Sequence, residues 1–237
     1  MNYITFFIRS GCLFSLVAMN VFACAASSKE KTILEADTFQ KDFEVGKCNM
    51  LTEGKNDYFI LIPGHKVVLE GGKTKVEIEV TDKTKIVDGI NTRVVVEKEW
   101  KEGNLYEVAA NYFAICEQTS DVYYFGEDVD FYKNNKVINH DGAWLAGVEG
   151  SKAGLFMPGK IKPKMKYYHE VAPGVAMDRA EIVSSSETCK TPAGTFEQCL
   201  KVKEQNPMER GSEEYKYYAP GVGLIQDDEL VLTHYSQ

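Results

Sequence analysis

Near its C-terminal end the chain reads Thr188-Cys189-Lys190-Thr191-Pro192-Ala193-Gly194-Thr195-Phe196-Glu197-Gln198-Cys199-Leu200-Lys201-Val202, and then Tyr217-Tyr218-Ala219-Pro220-Gly221-Val222-Gly223-Leu224-Ile225. Both runs are typical of a strand, a tight turn and a second strand. Pro192 presets the φ angle of a type I turn, and Gly194 can adopt the left-handed conformation that follows it. Thr, Phe, Leu and Val on the flanks favour strands. The region therefore predicts β-hairpins.

Outward from this region the same pattern continues. Val76, Ile78 and Val80 alternate with charged residues, which indicates a half-buried strand. Segments 92–100 and 105–116 predict a hairpin, and short aromatic strands follow. No long amphipathic helix separates them, although 33–43 has a loosely helical spacing. The sequence predicts a mainly β fold. It is an antiparallel meander of roughly ten strands forming a barrel, half-barrel or sandwich, with at most one or two short helices.

The first 24 residues have the pattern of an export signal. Arg9 is followed by an apolar run from Cys12 to Ala23, which is too short to span a bilayer. Val21-Phe22-Ala23-Cys24 resembles a bacterial lipobox, which would make Cys24 a lipidation site, and ordinary cleavage nearby is the alternative. The expected organisation is a signal peptide over 1–24, a tether and short helix over 25–45, and one β domain over 46–237. The predicted location is the periplasm or cell surface.

The net charge of the chain limits the kinds of partner that we expect it to bind. The net charge is −8, and removal of the signal with its single Arg9 makes it −9. An acidic surface disfavours nucleic acid and anionic membranes as partners. The expected membrane contact is therefore limited to a lipid anchor, and the expected partners are a hydrophobic small molecule or another envelope protein.

Four cysteines remain after the signal is removed and Cys24 is lipidated or cleaved away. An even number in an oxidising compartment predicts two disulfides. Cys189 and Cys199 lie directly opposite if the hairpin centres on Gly194, or are diagonal neighbours at about 7 Å if a bulge intervenes. We predict a Cys189–Cys199 disulfide, with two free thiols as the alternative, and by elimination Cys48–Cys116. The spacing does not suggest zinc.

Few residues are candidates for a catalytic or metal-binding role. His140-Asp141 could supply a base and its orienting acid, but the sequence holds no Gly-x-Ser-x-Gly element, so no nucleophile accompanies them. Glu127, Asp128 and Asp130 could bind calcium, although a solvated turn is the better interpretation. No cofactor or metal site is predicted. Catalysis is therefore the less favoured interpretation.

Aromatic residues give the one indication of a ligand. In runs such as Tyr123-Tyr124, neighbouring rings point to opposite faces of a sheet, so one ring of each pair is free to line a cavity. Trp144 lies in a Gly-rich loop that could cap the core or line a pocket. Tyr123, Tyr124 and Trp144 are the candidate ligand-lining residues.

Several segments together resemble a family of uncharacterised bacterial exported proteins and lipoproteins. The markers are Pro63-Gly64, Tyr124-Phe125-Gly126-Glu127-Asp128, Gly142-Ala143-Trp144-Leu145-Ala146-Gly147, Pro192-Ala193-Gly194-Thr195-Phe196 with Cys199-Leu200-Lys201, and Tyr217-Tyr218-Ala219-Pro220-Gly221-Val222-Gly223-Leu224. The resemblance brings no catalytic residue, and Cys116 and Cys189 depart from its usual pattern. A more distant likeness of strand rhythm is to lipoprotein carriers of the LolA type, which curl a sheet around acyl chains.

The leading hypothesis is a non-catalytic envelope protein that binds a hydrophobic or amphipathic ligand on a curved sheet. The alternatives are a secreted hydrolase that uses His140 and Asp141, and a structural or protein-interaction lipoprotein without a pocket. An enclosed apolar cavity above about 300 Å³ would favour ligand binding.

Overall fold

The structure is a computed structural model that describes residues 38–209 and 211–236. The predicted signal peptide, Cys24 and most of the tether lie outside the described residues. Of the predicted helical segment, residues 38–43 are described and are not helical; a single 3₁₀ turn follows at Val45–Lys47. Within the described ranges, no helix combines the length and hydrophobicity needed to cross a bilayer.

The described chain is built from β-strands. Their bounds are β1 (Met50–Leu51), β2 (Gly54–Asn56), β3 (Phe59–Leu61), β4 (Lys66–Gly71), β5 (Thr74–Val87), β6 (Ile90–Lys101), β7 (Asn104–Cys116), β8 (Val122–Lys133), β9 (Lys136–Asn139), β10 (Trp144–Leu145), β11 (Lys152–Met157), β12 (Lys166–Tyr168), β13 (Glu170–Val171), β14 (Arg179–Thr191), β15 (Gly194–Gln205), β16 (Glu214–Ala219), β17 (Gly223–Asp227) and β18 (Leu230–Ser236). The predicted mainly β fold is confirmed.

Two antiparallel meanders make up the main sheet. One runs from β4 to β8 and the other from β14 to β18, and they join where β18 pairs with β4. At the far edges β12 pairs with β14, and β13 pairs with β11. The strands β12 and β13 are separated along the chain only by His169, so the two edges of the sheet are consecutive pieces of backbone. The sheet is therefore a nearly closed barrel.

A glycine allows this closure. A Cβ atom on Gly154 of β11 would lie 2.3 Å from the carbonyl oxygen of His169. Any larger residue would push the segment 166–171 away from β11, because the obstacle is backbone.

The strands, the hairpin and the turn that were predicted from short stretches of sequence agree with the structure. In β5, Val76 and Val80 are buried and Ile78 is partly buried, while Glu79 is exposed. The hairpin predicted over 92–116 forms between β6 and β7. The turn predicted at Pro192 connects β14 to β15, where Thr191 pairs with Gly194.

One predicted disulfide is present. Cys48 and Cys116 are bonded, with their Cα atoms 5.3 Å apart. The bond fastens the segment before β1 to the end of β7, where Met50 also pairs with Cys116. The ring of Phe43 packs edge-on against Tyr123 in the same region. The N-terminal part of the described chain is thus attached to the outside of the barrel.

The other predicted disulfide is replaced by two free thiols. Cys189 pairs with Phe196, whereas Cys199 pairs with Glu187, because β15 has one residue more than β14 between these pairs. Gln198 takes up the extra residue with a φ of 55°. The cysteines are diagonal neighbours, and the Cys199 thiol donates to the Phe196 carbonyl at 3.4 Å. Burial raises the pKa of Cys189 to about 12, which keeps this thiol protonated and unreactive.

The interior of the barrel has an apolar part and a polar part. The apolar part centres on fully buried rings: Phe113 stacks on Tyr124 at 4.8 Å between centroids, and Phe156 meets Phe113 edge-on at 5.0 Å. Leu61, from the β2–β3 hairpin, is buried in the same core. The polar part contains the buried charges described next.

Candidate functional site

Carboxyl side chains from seven strands collect in the polar part of the barrel. Six are buried and two are partly buried. We call this set the acidic layer; its members are Glu97, Glu99, Glu107, Glu127, Glu170, Glu204, Glu214 and Asp227. An ionised carboxylate is costly to remove from water unless it is paired, so such a concentration requires an explanation.

Two members of this layer interact although they lie far apart along the sheet. Glu97 lies on β6 and Asp227 on β17, and three strands separate them in the sheet. Along the sheet this spacing is roughly 19 Å. The charges of Asp227 and Lys216 nevertheless affect Glu97 directly. Such an interaction requires the side chains to be closer to one another through the barrel interior than they are along the sheet.

Lys216 is 0% exposed and contacts three members of the layer. Its Nζ is 2.8 Å from Glu204 Oε2, 3.3 Å from Glu214 Oε1 and 3.7 Å from Asp227 Oδ2. Burial alone would lower the pKa of Lys216, but Asp227, Glu204 and Glu214 raise it well above its ordinary value. The ammonium group is therefore charged and partly neutralises the layer.

Several buried acceptors in this region have no hydrogen-bond donor. They include Glu97 Oε2, Glu204 Oε1 and both carboxylate oxygens of Asp227. The hydroxyl of Tyr167, a residue that is 1% exposed, also has no partner, and Glu204 is its charged neighbour. Buried polar groups in native proteins are nearly always hydrogen-bonded. The described protein atoms alone do not satisfy this layer.

Several groups in and beside the layer have pKa values far from their ordinary ones. Burial, followed by neighbouring carboxylates, raises the pKa of Glu97, Glu127 and Glu170 well above the ordinary value. The same causes raise the pKa of Glu107 to about 8. Burial and the charge of Lys216 lower the pKa of His169 to about 3, so this ring is neutral. Without a cation, much of the layer is protonated near neutral pH.

The pKa of Glu107 predicts an unusual dependence of stability on pH. Because its folded pKa of about 8 exceeds the ordinary 4.5, the unfolded chain loses this proton first as the pH rises. The free energy of unfolding should therefore fall between pH 6.5 and 8, by about 1–2 kcal/mol from this partly buried group. His169 acts in the opposite sense only below its ordinary pKa of 6.5. Urea denaturation of ligand-free protein at the two pH values measures the change.

Glu107→Gln provides the comparison, because glutamine keeps the shape and cannot titrate. We expect this variant to lose a smaller amount of stability between pH 6.5 and 8 than the unmodified protein. An equal loss in both proteins would show that Glu107 does not carry this proton.

Two cavities lie next to the acidic layer. An open cleft of about 500 Å³ at one end of the barrel is lined by Lys101, Tyr106 and Tyr132 with neighbouring turn residues. Lys101 Nζ is 3.2 Å from Glu99 Oε1, so the cleft borders the layer. A second cavity of about 40 Å³ is lined mostly by apolar residues, together with His65 and Tyr218. Tyr218 thus lines this cavity and also feels the charges of Glu204 and Lys216 in the layer.

The candidate ligand-lining residues divide between the two faces of the sheet. Tyr124 and Trp144 are buried and meet edge-on at 5.3 Å, and Trp144 pairs with Glu127 in the sheet. The Tyr124 hydroxyl donates to Asn111 Oδ1 at 2.9 Å. Tyr123 is buried instead against Phe43 of the N-terminal segment. Tyr124 and Trp144 thus border the acidic layer, and Tyr123 does not.

The structure places His140 beside a different acid from the one predicted. His140 Nδ1 lies 2.8 Å from Asp130 Oδ1 and 2.9 Å from the Val129 carbonyl, and the side chain is 69% exposed. The backbone N–H of Asp141 donates to Asn139 Oδ1, and the Asp141 side chain is exposed. A histidine–carboxylate pair is present on the surface, without Asp141.

The three acids considered for calcium do not converge. Glu127 is buried inside the barrel, whereas the side chains of Asp128 and Asp130 are 60% and 42% exposed. Asp128 pairs with Lys85 at 2.8 Å. Over residues 38–209 and 211–236, no group of three or more His, Cys, Asp or Glu residues has the geometry to hold a metal ion.

The acidic layer was not predicted from the sequence. In Val95-Val96-Glu97-Lys98-Glu99, the glutamates alternate with other residues as on any half-exposed strand. The available signal was the length of β6 and β7 at the centre of a long sheet, because a central strand of a closed barrel has one face hidden from solvent.

Comparison with known proteins assigns neither a family nor a function to the chain. The chain matches no protein-family model, no curated protein and no solved structure. The resemblance to exported bacterial proteins therefore stays a prediction.

Proposed function

We propose that this protein is a non-catalytic binding protein of the bacterial envelope that takes a small amphipathic ligand into its barrel. The observation that carries the proposal is the set of buried acceptors without donors in the acidic layer. A bound molecule that supplies hydrogen atoms to these acceptors would remove a penalty of about 1–3 kcal/mol for each unsatisfied group.

The surroundings of the layer support an amphipathic ligand. The cleft beside Lys101 offers a route from solvent, and its volume of about 500 Å³ is in the range of small-molecule sites. The apolar cavity beside Tyr218 is only about 40 Å³, well below the size expected of a purely hydrophobic site. The polar groups therefore supply most of the proposed recognition, and the apolar surface plays a smaller part.

An extracytoplasmic location agrees with the cysteine chemistry. Cys48 and Cys116 form a disulfide, and such bonds persist chiefly in oxidising compartments. This agrees with the export signal predicted from residues 1–24.

Native mass spectrometry tests the proposal directly. Protein isolated from an envelope fraction under mild conditions should show a mass excess that disappears when the same sample is denatured. Identical masses in both states would contradict ligand binding and would favour the structural or protein-interaction alternative. Recovery of the disulfide-free protein from the cytosol alone would contradict the envelope location.

A further inference from the structure

We infer that the acidic layer recognises the ammonium group of an amphipathic amine, whose alkyl chain extends beside Tyr218 or into the cleft at the barrel end. This inference rests on the proposed function and specifies the ligand class for the same site.

The charge of the layer points to a cation. Three carboxyl groups of the layer surround Lys216, whose Nζ lies within 3.7 Å of Glu204, Glu214 and Asp227. Glu97 on β6 is also buried, and the charges of Lys216 and Asp227 act on it. Its Oε2 atom is buried and has no hydrogen-bond donor. A second ammonium group near Glu97 would be stabilised by charge-assisted hydrogen bonds, which are about twice as strong as neutral ones.

A neutral side chain independently points to a ligand. Tyr167 is 1% exposed, its hydroxyl has no hydrogen-bond partner among the described residues, and the charge of Glu204 acts on it. This hydroxyl can accept a hydrogen bond from an N–H group that also contacts a carboxylate. The phenol and the neighbouring Glu204 Oε1 together offer two unsatisfied acceptors, which complements a ligand with several donors.

The arrangement disfavours a metal ion. Metal ligands converge on one point at about 2.0–2.6 Å, and no such group of three exists in the described residues. The carboxyl groups instead come from seven strands, and the three that converge do so on the ammonium group of Lys216. An ammonium ion on a chain suits this arrangement better, because its hydrogen bonds point in several directions at longer distances.

Isothermal titration calorimetry at pH 8 tests the inference with octylamine and 1,8-diaminooctane as probes. Octanol, octanoate and calcium chloride are the comparison compounds. We expect both amines to bind and to do so at least tenfold more tightly than octanol or octanoate, with no competition by calcium.

Glu97→Gln is the decisive variant. Glutamine keeps the size of the side chain but removes its negative charge, so amine affinity should fall at least tenfold. Glu97 is otherwise a buried carboxyl without a donor at Oε2, so we expect the ligand-free variant to melt at or above the temperature of the unmodified protein. Glu97→Asp keeps the charge and should retain affinity to within threefold.

Glu79→Gln is a matched control. Glu79 lies on β5, next to the Ile78 that pairs with Glu97, but its side chain is exposed on the outer face. The same substitution there should leave amine affinity unchanged.

The outcomes separate the inference from the proposed function. Octanol or octanoate binding as tightly as octylamine, with no effect of Glu97→Gln, would overturn the recognition of ammonium and leave an amphipathic site. Tight binding of calcium that displaces the amines would overturn it in favour of a metal. If none of the organic probes binds and native mass spectrometry shows no mass excess, both proposals fail.

Discussion

Replacement of Lys216 with methionine is expected to lower the free energy of unfolding by about 3–5 kcal/mol at pH 7. Methionine has a similar length and would fill the same volume, so the loss comes from charge and not from a cavity. Lys216 is fully buried, with Glu204 2.8 Å and Asp227 3.7 Å from its Nζ. Without Lys216, the neighbouring carboxyl groups must either stay charged without a partner or bind a proton at pH 7, and burial already raises the pKa of Asp227 well above its ordinary value. Urea denaturation of the two proteins measures the difference.

Two further variants identify the cause. Lys98→Met changes an exposed lysine on β6 and should shift stability by no more than about 0.5 kcal/mol. The triple variant Lys216→Met, Glu204→Gln and Asp227→Asn removes the charges together and should recover at least half of the loss, because neutral groups of similar shape often replace a buried ion cluster without penalty. If Lys216→Met were as mild as Lys98→Met, the neighbouring carboxyls would already be neutral and the ion cluster would not exist.

Local chemistry explains how much of the fold was predictable. The alternation through Val76 and Val80 and the turn at Pro192 depend on residues close in sequence, and the structure confirms both. The choice between barrel, half-barrel and sandwich was left open. Closure depends on β18 pairing with β4 and β13 pairing with β11, and no local turn signal specifies these pairings.

The candidate site was less predictable for a related reason. Glu97 and Lys216 have the same sequence surroundings as charges on a solvated strand face, and only closure of the sheet turns that face inward. The predicted disulfide between Cys189 and Cys199 is absent, because the one-residue bulge at Gln198 shifts one strand relative to the other. Sequence spacing limited that pair to two arrangements, and the backbone selected the diagonal one.

Loss of the Cys48–Cys116 disulfide should have the second large effect. The bond spans 68 residues of sequence, and the chain-entropy model assigns such a loop about 4 kcal/mol of stabilisation. The variant Cys48→Ala with Cys116→Ala should therefore unfold at a lower urea concentration, and a reducing agent should destabilise the unmodified protein by a similar amount without affecting this variant.

Cys189→Ala with Cys199→Ala is the matched control for the disulfide. These cysteines are free thiols, so the control should remain sensitive to the reducing agent even though removal of two buried side chains weakens its core. Because Cys48 precedes β1 and Cys116 ends β7, the bond holds the N-terminal segment over Tyr123. Its loss should also expose this ring, which an increase in tyrosine fluorescence quenching by acrylamide would detect. Loss of reductant sensitivity in the control variant instead would show that the stabilising bond joins Cys189 to Cys199.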